Sequence, residues 1–124
     1  MSWIVSVFFN APLPLDGVID RVEELWLIEF KKRQSSGEAV YHFGGLGLSL
    51  SLFDDHGLVD NMGISFSKYE YELDFSVYTA EEGREALRRS MALHAARVFY
   101  GRFGWPCTVV ENLQQKLIEL PGEE

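Results

Sequence analysis

A chain of 124 residues with an apolar fraction of 47% and an aromatic fraction of 14% suits one domain that buries roughly two-thirds of its unfolded surface without a metal or a disulfide. The net charge of −8 runs against nucleic-acid binding, where basic side chains displace counterions from phosphates, and suits a basic protein partner. Cys107 stands alone, no stretch approaches the ~20 apolar residues of a membrane span, and no signal-like leader precedes the first apolar run, so a reducing, cytoplasmic location is expected.

The run Trp3 to Phe9 is apolar on both sides except at Ser6, the pattern of a central strand. Pro12 and Pro14 break it, and Asp16 is placed to cap a helix reaching about Arg33, whose Lys31, Lys32 and Arg33 complement the helix dipole. After a turn over Gln34 to Glu38, the segments Ala39 to Phe43 and Gly45 to Phe53 read as strands about the Gly44-Gly45 bend. In the second of these, Leu46, Leu48, Leu50 and Leu52 alternate with Gly45, Gly47, Ser49 and Ser51. One face is therefore apolar and the other is built of very small residues.

Asp54 to Gly63 is a polar loop, with a short extended piece through Phe66. From Tyr69 to Tyr78 a further strand sets Tyr69, Tyr71, Leu73, Phe75 and Val77 against Glu70, Glu72, Asp74 and Ser76. Thr79 and Glu82 form a capping box for a second helix, stopped near Phe103 by Gly104 and Pro106. Between Met91 and Tyr100 only His94 and Arg97 are polar, which predicts burial on more than one side, and Ala92, Ala95 and Ala96 allow close packing. Cys107 to Val110 is a short buried strand, and Asn112 to Leu120 reads as a last amphipathic helix with Leu113, Leu117 and Leu120 inward. The order β-α-β-β-β-α-β-α predicts an α+β domain: a mixed or mostly antiparallel sheet of about four to five strands with helices packed on one face.

Acidity is regional. Asp54 to Glu85 holds nine acids against Lys68 and Arg84. If the leucine and tyrosine faces meet the helices, the outer surface joins Ser49 and Ser51 to Glu70, Glu72 and Asp74, with Asp54 and Asp55 at its margin. That surface is the expected contact for a basic partner, and a non-catalytic interaction module follows, by analogy of charge and size with immunity proteins that neutralise a basic toxin or nuclease. Self-association through the sheet or Trp105, giving a homodimer, is compatible with it.

Motifs for catalysis are weak. Gly45-Leu46-Gly47 leads into a strand instead of opening a helix, so it is no dinucleotide fingerprint. Asp54, Asp55, His56, Asp60 and Asn61 are ligand types without a converging spacing, so no metal and no cofactor are expected. Cys107 lies in a strand like a buried thiol. The alternative is a small enzyme or ligand-binding domain organised around Glu29 and His94. Helical spacing sets Glu29 among Val18, Val22 and Leu25 and sets His94 among Leu87, Met91 and Val98, which predicts that both are substantially buried. Arg97 then pairs with an acid.

Overall fold

The computed structural model describes residues 4–35, 38–45, 48–54, 57–60, 63–77 and 84–121. In chain order these form β1 (Val5–Phe9), α1 (Leu15–Trp26), β2 (Lys31–Ser35), β3 (Glu38–Gly45), β4 (Leu48–Asp54), a 3₁₀ turn (Phe66–Lys68), β5 (Tyr71–Val77), α2 (Arg84–Phe103), β6 (Cys107–Glu111) and β7 (Gln115–Leu120). The strands make one seven-stranded sheet in the order β2-β3-β4-β5-β1-β6-β7. Every ladder is antiparallel.

Register explains which residues share the core. Val7 stands opposite Leu73 on one side and Val109 on the other, and Leu52 of β4 continues the row beyond Leu73. These residues are buried with Val18, Ile19 and Val22 of α1 and Ala92, Ala95, Ala96 and Phe99 of α2, so both helices cover one face of the sheet. The architecture is α+β. Phe9 is the aromatic centre, with ring centroids 5.4 Å from Tyr71, 5.0 Å from Phe99 and 5.6 Å from Trp105. On the opposite face a smaller cluster of Phe8, Ile64, Phe66, Tyr69 and Val110 covers β1 and β6.

The helix expected to reach Arg33 stops at Trp26. Leu27 adopts φ 54, ψ 44, and its N–H donates to the Glu23 carbonyl. The Glu23 carboxylate accepts the Phe30 N–H at 2.7 Å, which turns the chain out of the helical path and seats Phe30 in the core. Lys31, Lys32 and Arg33 are exposed on an edge strand instead, where charge discourages pairing with another sheet. The N-cap is Pro14, with Asp16 in the first turn accepting from the Tyr41 hydroxyl.

The last helix is also corrected, to a strand. Asn112 and Leu113 have φ 53 and 59 and turn the chain back, so that β7 satisfies the open edge of β6. A helix of nine residues would have been marginal by itself. Asn112 is tied to β1: its N–H donates to the Ile4 carbonyl at 2.8 Å, and its Oδ1 accepts the Ile4 N–H at 3.0 Å. With Lys31–Ser35 and Gln115–Leu120 added as edges, the strand count rises from the expected four or five to seven.

α2 ends where its glycine requires. Gly104, at φ 73, donates to the Tyr100 carbonyl, and Trp105 donates to that of Phe99. The capping box at Thr79 and Glu82 lies outside the described residues. Burial along α2 follows Arg88, Ala92, Ala95, Ala96 and Phe99, so a single stripe is buried and not several sides. The alanines bring this stripe close to the sheet. The bulkier neighbouring stripe of Leu87, Met91 and His94 is left over a part of the sheet that neither helix covers.

Candidate functional site

The acidic strand does not form one open surface. Across the second face of the sheet, register aligns His42, Ser51, Asp74 and Ser6 in a row over four strands. Ser6 Oγ donates to Asp74 Oδ1 at 2.7 Å, and His42 Nδ1 lies 3.5 Å from Ser51 Oγ. In the next row Glu72 sits between Phe53 and Phe8, which shield it to 5% exposure. Burial first, then the hydrogen bond and charge of Asp74, raise the Glu72 pKa far above the carboxylate range. Glu72 is therefore neutral at pH 7.

Two of the expected contact residues are corrected on this ground: Glu72 and Ser49 are buried. Ser51 and Asp74 are half-buried and Glu70 is exposed. Asp55 lies outside the described residues. The row also has the wrong order for nucleophile activation, because the serine lies between histidine and aspartate and Asp74 cannot orient His42 as a base. Burial lowers the His42 pKa, with help from Arg33. Burial pushes the Cys107 thiol up to about 12, and its Sγ donates to the Ala96 carbonyl, a structural thiol.

At the end of β4 and the start of β5 the chain forms a polar hollow of about 520 Å³ that brings Asp54 and Glu70 to one rim, with Lys68 beside them. Asn10 builds this rim. Its Nδ2 donates to the Lys68 carbonyl at 2.7 Å and its Oδ1 accepts the Glu70 N–H at 2.7 Å, fastening the segment that carries Glu70 to the end of β1. Asp60 accepts both the N–H and the hydroxyl of Ser67, at 2.9 and 2.8 Å, which holds its pKa below the usual value. That loop acid is a fastening of the 3₁₀ turn. His56 and Asn61 lie outside the described residues, and among the described residues no three of His, Cys, Asp and Glu gather as a metal set.

The opposite end of β4 and β5 opens on the helix face as an apolar cleft of about 650 Å³. Its floor is Phe43, Leu48, Leu50, Phe75 and Val77. One wall is Trp26 and Ile28, and the other is Leu87, Ser90, Met91 and His94 of α2. His94 and Glu29 are both exposed, against the expectation of burial. For Glu29 the cause is the early end of α1, which makes Ile28 the lining residue. For His94 it is the helix stripe described above. Arg97 is exposed one turn beyond His94.

Sequence reasoning missed Asn10; of the alternative pocket it set at Glu29, His94 and Arg97, His94 lines the cleft while Glu29 and Arg97 do not, and the apolar lining was not foreseen. The signal for the cleft was present in α2, whose alanine stripe and leucine-methionine stripe cannot both face the sheet. Comparison with protein-family models, with curated proteins and with solved structures found no match to this chain.

Proposed function

We propose that the chain is a non-catalytic binding module that holds a basic protein, in the manner of an immunity protein or inhibitor set against a basic toxin or nuclease. The observation that carries this reading is the convergence of Asp54 and Glu70 on one concave rim, kept in place by Asn10. The half-exposed Asp74 and Ser51 continue the polar strip on the second sheet face, away from the face that α1 and α2 cover. A basic side chain entering the hollow meets two carboxylates, and the chain's charge of −8 steers its approach.

The test begins with capture of a partner from source lysate at low salt and its identification by mass spectrometry. Affinity is then measured for Asp54→Lys and Glu70→Lys. Close interfacial charge pairs couple by ~1.5–7 kcal/mol, so either reversal should weaken the complex about tenfold or more. Unchanged affinity in both variants removes the hollow as the contact. The apolar cleft favours a second reading, a ligand-binding domain, which retains His94 and leaves Glu29 without a part.

A further inference from the structure

We infer that the cleft between α1 and α2 binds a small anionic amphiphile, with an apolar body over the sheet and a carboxylate head at His94 and Arg97; this rests on the ligand-binding reading and not on the basic partner. Its volume of about 650 Å³ lies within the roughly 300–1,000 Å³ of small-molecule sites. It is also several times the ~150 Å³ engineered cavity that admits benzene. The floor offers only carbon, from Phe43, Leu50, Phe75 and their neighbours, so the body of the occupant is apolar.

The head group follows from charge. α2 carries five arginines against one glutamate, a net +4 within a chain of −8. Of these, Arg88 is buried, Arg89 pairs with Glu111 and Arg102 lines a separate hollow, so among the described side chains Arg97 is the cation next to the cleft wall. Ser90 and His94 line the cleft and are exposed, so they stand where it meets water, and the exposed Arg97 follows His94 one turn on along the same side of α2, just beyond the lining. Ser90 and His94 supply hydrogen-bond donors, and Arg97 supplies a fixed positive charge. An apolar body with an anionic head uses both parts of the site. A cationic amphiphile meets repulsion at the rim.

Decanoate and decanol, titrated calorimetrically into the intact chain, separate these contributions. Decanoate should bind one-to-one, and across octanoate, decanoate and dodecanoate each added methylene should tighten binding about fourfold while the cleft has room. Arg97→Gln should weaken decanoate by up to about fivefold, the scale of an exposed ion pair, and leave decanol unchanged. Ser90→Trp fills the cleft from an exposed position and should abolish binding of both. Thermal melts check that each variant is folded.

Absence of decanoate binding by the folded chain overturns the inference. So does undiminished binding by Ser90→Trp. Binding of both probes with equal response to Arg97→Gln also overturns it, while leaving the ligand-binding reading standing. A wild-type dimer that Ser90→Trp dissociates, without decanoate binding, assigns the cleft to a second copy and overturns it as well. No protein partner enters these measurements, so their outcome is independent of the test at Asp54 and Glu70.

Discussion

Replacement of Glu72 by glutamine should stabilise the protein, and increasingly so as pH rises. Glu72 is 5% exposed, and its pKa is raised from 4.5 by burial first and then by its hydrogen bond to Asp74 and that residue's charge. Above about pH 4.5 the unfolded chain releases a proton that the folded chain retains. The stability that this neutral carboxyl contributes is therefore complete below that pH and declines as pH rises, by about 1.4 kcal/mol per unit, until Glu72 ionises in the folded protein. From pH 5 to pH 7 the loss comes to about 3 kcal/mol, a large share of the ~5–15 kcal/mol that holds a small domain together.

Glutamine keeps the shape of the protonated acid and a donor for Asp74, but it does not titrate. Glu72→Gln should thus come close to wild type near the ordinary carboxylate pKa and exceed it by about 3 kcal/mol at pH 7. In urea melts followed by tryptophan fluorescence, the midpoints should separate by roughly 0.5–1 M for each pH unit, given slopes of ~1.5–3 kcal/mol/M. Two midpoint curves that run parallel between pH 5 and pH 8 would refute a neutral, buried Glu72.

Two further outcomes follow from local geometry. Leu27 holds a left-handed conformation while 89% exposed, so Leu27→Gly relieves about 1–2 kcal/mol of backbone strain against ~0.5–1 kcal/mol of added chain entropy, and should raise stability by about 0.5–1 kcal/mol in the same melts; a loss would show that the leucine makes a contact. Cys107 is fully buried with its thiol pushed up to about 12, so it should resist an aromatic disulfide reagent at mildly alkaline pH and react fully in concentrated urea; prompt labelling of the native chain would contradict its place under α2.

The interior was legible from sequence because alternation is a local property. Val5, Val7 and Phe9, Leu50 and Leu52, and Leu73 and Phe75 each announce a strand face, and the helices that cover it announce themselves by their own apolar stripes. The edges were not legible. Lys31 to Arg33 resemble a helix end by charge, and Leu113, Leu117 and Leu120 resemble a helix face by spacing. What decided both was a left-handed residue: Leu27 in one case and the pair Asn112 and Leu113 in the other. Leucine is a poor signal for that conformation, since its cost is met by hydrogen bonds that close only in the folded chain, such as Glu23 to Phe30 and Asn112 to Ile4.

The site divides along the same line between local and distant causes. Glu70, Glu72 and Asp74 alternate on one side of a strand, and that much is visible in the chain. Their exposure is not, because it depends on which residues the neighbouring strands present at each row. Phe53 and Phe8 fall beside Glu72 and remove it from water, Ser51 and Ser6 fall beside Asp74 and leave it half-buried and hydrogen-bonded, and Glu70 escapes the sheet altogether. Three acids of one pattern thus acquire three chemistries, one neutral, one bonded within the sheet and one facing solvent. Glu70 is left as the exposed member of the three, on the rim it shares with Asp54, and under the proposed function it is the one that would meet a partner's charge.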